Sequence, residues 1–169
     1  MYSDAKILWI DAHIDANTPD SSPSLNAHGM PLAYLTGMIP RHMYWKCVDM
    51  KKDICYFGIR SYEPEEHQLI KDKEVMVFEA SECLEQNLTD IERKLQNYFR
   101  SKNPKYWVSF DIDGVDAKCF RSTGTAEEEG ISLEFIESFF EKFAHKTVGM
   151  DFTEVNFELA PTQLDKMVD

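Results

Sequence analysis

ILWI at residues 7–10 leads directly into the acidic cluster DAHID at residues 11–15, and the same plan recurs where YWVSF at 106–110 leads into DID at 111–113. Short runs of branched and aromatic residues are typical of buried strands. Helical segments between such strands indicate a parallel sheet that is covered on both faces. Because ligands of these sheets bind beyond the carboxyl ends of the strands, we expect both acidic clusters in one crevice.

The two acidic clusters together predict a metal site. Alternate residues of an extended chain lie on one face, so Asp11, His13 and Asp15 can converge, and Asp111 can converge with Asp113. Any one of these aspartates alone would more often be a turn or helix cap. Carboxylates gathered in one crevice repel one another unless a cation is bound. An oxygen-rich set with one histidine suits manganese or another hard divalent ion, and its size indicates a binuclear centre.

Length and charge limit the classes of function. The 169 residues are about the size of one domain, so we expect a single domain spanning residues 1–169. With 30 acidic against 18 basic residues, the chain has a net charge of -12 and lacks the positive surface that nucleic acids require. The four cysteines show no Cys-x-x-Cys spacing, which argues against structural zinc. Without a signal sequence or a bilayer-length apolar segment, the sequence predicts a cytoplasmic protein with no membrane partner.

Apolar runs and helical periodicities predict the order of elements. Strands are expected near residues 6–10, 54–59, 75–78, 106–110 and 147–152. Their alternation with helical segments is the pattern of an α/β fold. One helical stripe begins after Asn87, where Thr89 and Glu92 have the form of a capping box. A second stripe covers residues 133–143, with Ser132 as its N-cap.

Three strings of the sequence closely resemble the arginase branch of the ureohydrolase family. They are DAHIDANTPDSSPSLNAHG from residue 11, SFDIDGVDAKCFRSTGT from residue 109 and MDFTEVN from residue 150. All three occur in the family's order. The resemblance implies an α/β fold, a three-layer αβα sandwich around a parallel sheet. It also implies manganese-dependent hydrolysis of L-arginine to L-ornithine and urea by a hydroxide that bridges two metal ions, as part of arginine metabolism.

The resemblance assigns metal ligands position by position. Asp11 and Asp111 match the carboxylates that bridge both manganese ions. His13 and Asp113 match the ligands that complete one ion, and Asp15 matches a ligand of the other. Two cations that share a water lower its pKa, so hydroxide exists near neutral pH and can attack the guanidinium carbon.

The resemblance also assigns catalytic and substrate-binding residues. Glu154 matches the acid that holds the guanidinium by paired charged hydrogen bonds, and His28 matches the proton shuttle that serves the leaving amino group. The residues implied in substrate binding are Asn17, Ser22, Ser24, Asn26, Glu63, Glu66 and Thr125. The polar stretch 17–29 predicts a loop over the site. Its match to the family's contacts with the substrate α-carboxylate favours arginine over agmatine.

The chain departs from the family at both ends. The family carries a glycine-rich GGDHS segment upstream, and its histidine binds the same ion as the family residue that Asp15 matches. No such segment precedes Asp11. We therefore expect an incomplete sandwich, one manganese ion held more firmly than the other, and impaired activity. The family forms homotrimers through a terminal part that does not follow Glu154 here, so the oligomeric state stays open.

Two alternatives to an arginase remain at this point. One is a non-catalytic ureohydrolase relic or interaction protein with weak metal binding, and the other is an agmatinase-like amidinohydrolase. Smaller departures bear on the geometry or electrostatics of the site: Ser61, Glu63 in place of a shorter Asp, and the acidic loop Glu127-Glu128-Glu129. The other histidines match no ligand string, and they are His42, His67 and His145.

Overall fold

The computed structural model describes residues 4–40 and 47–159, so His42 lies outside the described residues. The strands are β1 (Lys6–Ile10), β2 (Ile54–Phe57), β3 (Met76–Phe78), β4 (Tyr106–Asp111) and β5 (Thr147–Thr153). They form one five-stranded sheet in the order β3-β2-β1-β4-β5, and every pair in it is parallel. The strands predicted from the sequence are confirmed.

The strand order fixes where a ligand can bind. From β1 the chain adds β2 and β3 on one side of the sheet and β4 and β5 on the other. The direction of winding therefore reverses between β1 and β4. In open parallel sheets such a reversal leaves a crevice beyond the carboxyl ends of the two strands. Both acidic clusters of the sequence follow these two strands.

Helices cover both faces of the sheet. They are α1 (Pro31–Thr36), α2 (Met50–Asp53), α3 (Pro64–Asp72), α4 (Leu88–Tyr98) and α5 (Leu133–Phe143). Leu8 and Ile10 of β1 belong to a core cluster with α4 and α5, whereas Trp9 belongs to a second cluster with residues of α1, α2 and α3. This alternation confirms the predicted αβα arrangement. No helix in the described part of the chain is long and apolar enough to span a membrane.

The two predicted helix caps have different outcomes. The Ser132 side chain accepts a hydrogen bond from the Phe135 amide at 3.1 Å, which confirms the cap of α5. The predicted capping box of Thr89 and Glu92 is wrong, because α4 begins at Leu88 and Thr89 already lies inside its first turn. Glu92 instead pairs with Lys142 and with the buried Lys146.

The loop after β1 is anchored at both of its ends. The Asn17 amide donates to the Gly29 carbonyl at 3.1 Å, and the Leu32 amide donates to the Asp15 carbonyl at 3.0 Å. A single 3-10 turn, Ala27–Gly29, closes the loop before α1. The predicted loop is confirmed over most of its length, and its anchors hold residues 17–29 at the carboxyl edge of the sheet.

Phe139 is expected to be a costly truncation in the aromatic core of α5. Its side chain is fully buried and its ring lies 4.8 Å from that of Phe143 and 5.5 Å from that of Phe57. Phe139→Ala should lower the free energy of unfolding by about 3–5 kcal/mol in urea denaturation. Glu141→Ala, at an exposed position of the same helix, is the control and should change it by less than about 0.5 kcal/mol. Equal effects of the two variants would contradict this assignment of the core.

Candidate active site

Asp11 and Asp111 lie side by side because β1 and β4 are paired in register. Ile10 is the partner of Phe110, so the next residue of each strand is one of the two aspartates. The turn after β4 is a 3-10 helix, Ile112–Gly114, which carries Asp113 back toward β1. A Cβ atom at Gly114 would lie only 2.9 Å from the Asp11 amide nitrogen. The two acidic turns can therefore touch only because glycine occupies this position.

Hydrogen bonds orient the carboxylate of Asp11. It accepts from the Trp9 indole Nε1 at 2.9 Å and from the His13 amide at 2.7 Å. Trp9 and Asp11 are two residues apart in an extended segment, so their side chains share a face. The buried carboxylate of Asp11 is thus held by one side-chain donor and one backbone donor.

The carboxylates that follow β4 are held in the same way. Asp111 accepts from the Asp113 amide at 3.0 Å and from the Thr153 hydroxyl of β5 at 3.2 Å. Asp113 accepts from the Ala12 amide at 3.1 Å and from the Thr125 hydroxyl at 2.8 Å. Each acid keeps unused lone pairs, because a carboxylate has about four acceptor positions.

Asp11, His13 and Asp113 form a group suited to a divalent cation. Each offers one ligand atom, and these atoms all lie within 4.8 Å of one another. The His13 Nδ1 atom lies 3.1 Å from Asp113 Oδ2 and 3.5 Å from Asp11 Oδ1. Carboxylate oxygens with one imidazole nitrogen are ligands that manganese accepts. The donor set therefore fits the metal implied by the sequence.

The remaining predicted ligands, Asp15 and Asp111, line the same cleft. Burial, followed by the charges of Asp11 and Asp113, raises the pKa of Asp111 to about 8. Burial, followed by the charge of Asp11, likewise raises the pKa of Asp15 to about 9. Asp15 also has a left-handed backbone with φ of 57°, which is uncommon outside glycine. Both acids thus lie where a bound cation would favour their ionised form.

His13 and Asp113 form the ion pair of the site. Burial opposes the positive charge of His13, but hydrogen bonds to Asp11 and Asp113 outweigh it and raise the pKa of His13 to about 11. Burial also opposes the negative charge of Asp113, yet the hydrogen bond with His13 lowers the pKa of Asp113 to about 2. The imidazole lowers the pKa of Asp11 as well, but burial, together with the charge of Asp113, outweighs it there and raises the pKa of Asp11 to about 6.

Glu154 and His28 face each other at the mouth of the cleft. Glu154 directly follows β5, and its carboxylate Oε1 lies 3.9 Å from His28 Nδ1. Both side chains are about half exposed, so both are accessible to a molecule that enters the cleft. Glu154 has a left-handed backbone with φ of 60°. Strained conformations of this kind are concentrated at functional sites.

A second pair of acids lies across the cleft, where α3 begins. Glu63 accepts from the Asn17 side-chain amide at 2.9 Å, and Glu66 accepts from the Ala16 amide at 2.8 Å. Burial and the hydrogen bond with Glu63 raise the pKa of Glu66 to about 7. The hydrogen bond with Glu66, followed by that with Asn17, lowers the pKa of Glu63. The pair therefore keeps one negative charge, that of Glu63, beside the loop that follows β1.

Every site residue predicted from the sequence, except Asn26, lines one cleft. The residues brought together are Asp11, His13, Asp15, Asn17, Ser22, Ser24, His28, Glu63, Glu66, Asp111, Asp113, Thr125 and Glu154. Asn26 is exposed and precedes the 3-10 turn of the loop.

Three residues that support this cleft were not predicted from the sequence. Trp9 and Thr153 donate to the carboxylates of Asp11 and Asp111. The guanidinium of Arg60 donates to the carbonyl of Asp113 at 2.7 Å. A signal existed for Trp9, because it precedes Asp11 by two residues in a predicted strand. The partners of Arg60 and Thr153 are remote in sequence and carry no local signal.

Comparisons with known proteins agree with this geometry. The model of the Arginase family matches residues 1–167. The chain belongs to the arginase family. The arginase of Entamoeba histolytica is 38% identical to this family member over 130 residues, which are 76% of this chain and 44% of that protein. This family member spans about half the length of the curated relatives it matches, with shares from 44% to 53%.

Solved arginases have the same fold. The structure of Entamoeba histolytica arginase in complex with L-ornithine has a TM-score of 0.80 and 32% identity, covering 96% of this chain and 57% of that chain. The structure of arginase from Bacillus caldovelox has a TM-score of 0.83 and 26% identity, covering 95% of this chain and 56% of that chain. The αβα fold of this family member is therefore that of the family.

Manganese affinity is expected to rise with pH. The pKa values of Asp111 and Asp15, about 8 and about 9, mean that both acids hold protons at pH 6. A cation that binds there must displace these protons, and it displaces fewer of them as the pH approaches 9. Calorimetry at pH 6, 7.5 and 9 in two buffers of different ionisation enthalpy should show tighter binding and smaller proton release at each step. A flat affinity with no proton release would contradict the raised pKa values.

Proposed function

We propose that the chain catalyses manganese-dependent hydrolysis of L-arginine to L-ornithine and urea. The observation that carries the proposal is the cleft in which a donor set for a hard cation faces Glu154 and His28. The arginase of Entamoeba histolytica, solved in complex with L-ornithine, supports the substrate class. The predicted cytoplasmic location and role in arginine metabolism stay predictions.

The metal would be held by the acids at the ends of β1 and β4. Asp11, His13 and Asp113 would hold one ion, and Asp15 would hold a second together with the shared acids Asp11 and Asp111. When bound, manganese lowers the pKa of water and so supplies hydroxide near neutral pH. The hydrogen bonds from Trp9 and from the backbone fix the carboxylates before any ion arrives, which limits the reorganisation that binding requires.

Glu154 is proposed to hold the guanidinium group. A carboxylate binds a planar guanidinium by two parallel charged hydrogen bonds, which fixes its orientation as well as its position. The Glu154 side chain is about half exposed at the cleft mouth, so a substrate can reach it. Held there, the guanidinium carbon faces the acids of the metal centre.

His28 is proposed to move the proton that the leaving group needs. Cleavage of the guanidinium C–N bond releases an amine, which must gain a proton to leave as neutral or charged ornithine. The His28 imidazole lies 3.9 Å from the Glu154 carboxylate, which is the proposed guanidinium anchor. Histidine is a common general acid and base in catalysis.

Asn17, Ser22 and Ser24 are proposed to recognise the substrate α-carboxylate. All three line the cleft on the loop that is anchored at Gly29. Uncharged donors suffice to recognise a carboxylate, and a substrate without that group would leave them unpaired. Glu63 and Glu66 lie beside Asn17 and offer their shared negative charge to an amino group.

A second candidate is a family member that binds one ion and has little activity. The grouping of Asp11, His13 and Asp113 favours it, because these are the ligands of a single ion. In this case the first ion would bind tightly and urea release would stay near background at saturating manganese. Metal counting and turnover together separate the two candidates.

Urea release is the direct test of the proposed reaction. The full chain, loaded with manganese, should release urea from L-arginine, and Asp111→Asn should abolish release because a shared acid loses its charge. Calorimetry should show that the same substitution also weakens manganese binding. Release of urea by Asp111→Asn at the unmodified rate would contradict the assigned role of Asp111.

Selectivity for the α-carboxylate is tested at Asn17. Loss of a partner for a buried donor costs about 1–3 kcal/mol, so arginine should be preferred over agmatine by roughly 5-fold to 150-fold in kcat/KM. Asn17→Ala should reduce this ratio, whereas Asp20→Ala, an exposed change in the same loop, should leave it unchanged. Equal use of both substrates by the unmodified chain would instead favour the agmatinase-like alternative.

A further inference from the structure

The imidazole of His13 has an acid on each side. Its Nδ1 atom faces Asp11 and Asp113, the other members of the metal-binding group. Its Nε2 atom lies 3.9 Å from the Oε1 atom of Glu127, which belongs to the acidic loop Glu127-Glu128-Glu129. This distance is about 1 Å longer than a hydrogen bond. The Glu127 side chain is 41% exposed, so a rotation of the side chain can bring the two atoms within hydrogen-bond distance.

The backbone of the acidic loop is fixed relative to the metal centre. Arg60 Nη2 donates both to the carbonyl of Asp113 at 2.7 Å and to the carbonyl of Glu127 at 2.9 Å. The Ala117 amide also donates to the Glu127 carbonyl at 3.0 Å. A Cβ atom at Gly130 would lie 2.6 Å from Arg60 Nη2, so glycine lets the loop approach the guanidinium. These contacts use the backbone of Glu127 and leave its side chain available.

We propose that Glu127 is a positioning residue that accepts a hydrogen bond from the Nε2–H group of His13 and thereby presents Nδ1 to the metal. The inference rests on the proposed function only in assuming that His13 binds manganese. Histidines that bind metals usually donate their other ring N–H to a carboxylate, carbonyl or water, which fixes the ring and makes the ligand nitrogen more basic. Of the three acids in the loop, Glu127 is the one paired with His13 among the described ion pairs.

The expected size of the effect follows from exposure. Loss of such an outer partner typically weakens metal affinity by about 10-fold to 100-fold. Because solvent screens a carboxylate that is 41% exposed, we expect the low end, about 10-fold, for Glu127→Ala. Glu127→Gln keeps an acceptor oxygen without the charge and should recover part of the affinity.

The test measures two properties of the full chain. Calorimetry with manganese chloride gives the affinity of the unmodified chain, Glu127→Ala, Glu127→Gln and Glu129→Ala. Glu129→Ala removes the same charge from an exposed position of the same loop and is the matched control. Nuclear magnetic resonance of the metal-free, nitrogen-labelled chains reports the His13 Nε2 proton, which does not depend on turnover or on metal.

The proposal expects weaker manganese binding and an altered His13 Nε2 signal in Glu127→Ala, a partial recovery in Glu127→Gln, and neither change in Glu129→Ala. Equal affinities and identical signals in Glu127→Ala and the unmodified chain would overturn it. Equal losses in Glu127→Ala and Glu129→Ala would also overturn it, because they would assign the effect to the charge of the loop as a whole. If the unmodified chain takes up no manganese but its Nε2 signal still depends on Glu127, the contact stands and the proposed function fails.

Discussion

The site depends on the contact between the turns that follow β1 and β4. Gly114 lets the second turn approach the Asp11 amide, and the pairing of β1 with β4 brings Asp111 beside Asp11. Buried carboxylates destabilise a fold unless donors or cations compensate them. Here the Ala12 and His13 amides supply part of that compensation. The same contact that gathers the acids therefore also provides the donors that make their burial tolerable.

The charge of the site is compensated unevenly. His13 stabilises the ionised form of Asp113, whereas Asp15 and Asp111 are left with raised pKa values of about 9 and about 8. The uncompensated acids lie on the side of the cleft that also carries Glu154, whose charge contributes to the shift of Asp111. A cationic guanidinium and divalent ions are the species that such a field attracts. The electrostatics thus agree with the proposed hydrolysis of a guanidinium substrate.

Features that depend on local pattern were predicted correctly from the sequence. Features that depend on tertiary contacts were predicted wrongly or were missed. The strands, the Ser132 cap and the convergence of both acidic clusters follow from periodicity and from the rule for parallel sheets. The capping box at Thr89 was wrong because Thr89 lies inside the first turn of α4, and Glu92 pairs instead with Lys146, a residue far along the chain. The contacts of Arg60 were missed for the same reason. The family resemblance named Asn26, but the fold leaves its side chain outside the cleft.

Arg60 explains how an acidic loop can be held beside the proposed metal site. Its hydrogen bonds go to backbone carbonyls, among them those of Asp113, Glu127 and Glu128. Anchors of this kind do not depend on which side chains the loop carries, provided that Gly130 stays small. The side chains of the loop are therefore free to change while its backbone keeps its distance from His13. In this chain, the carboxylate of Glu127 lies 3.9 Å from the outer ring nitrogen of His13, the proposed metal ligand.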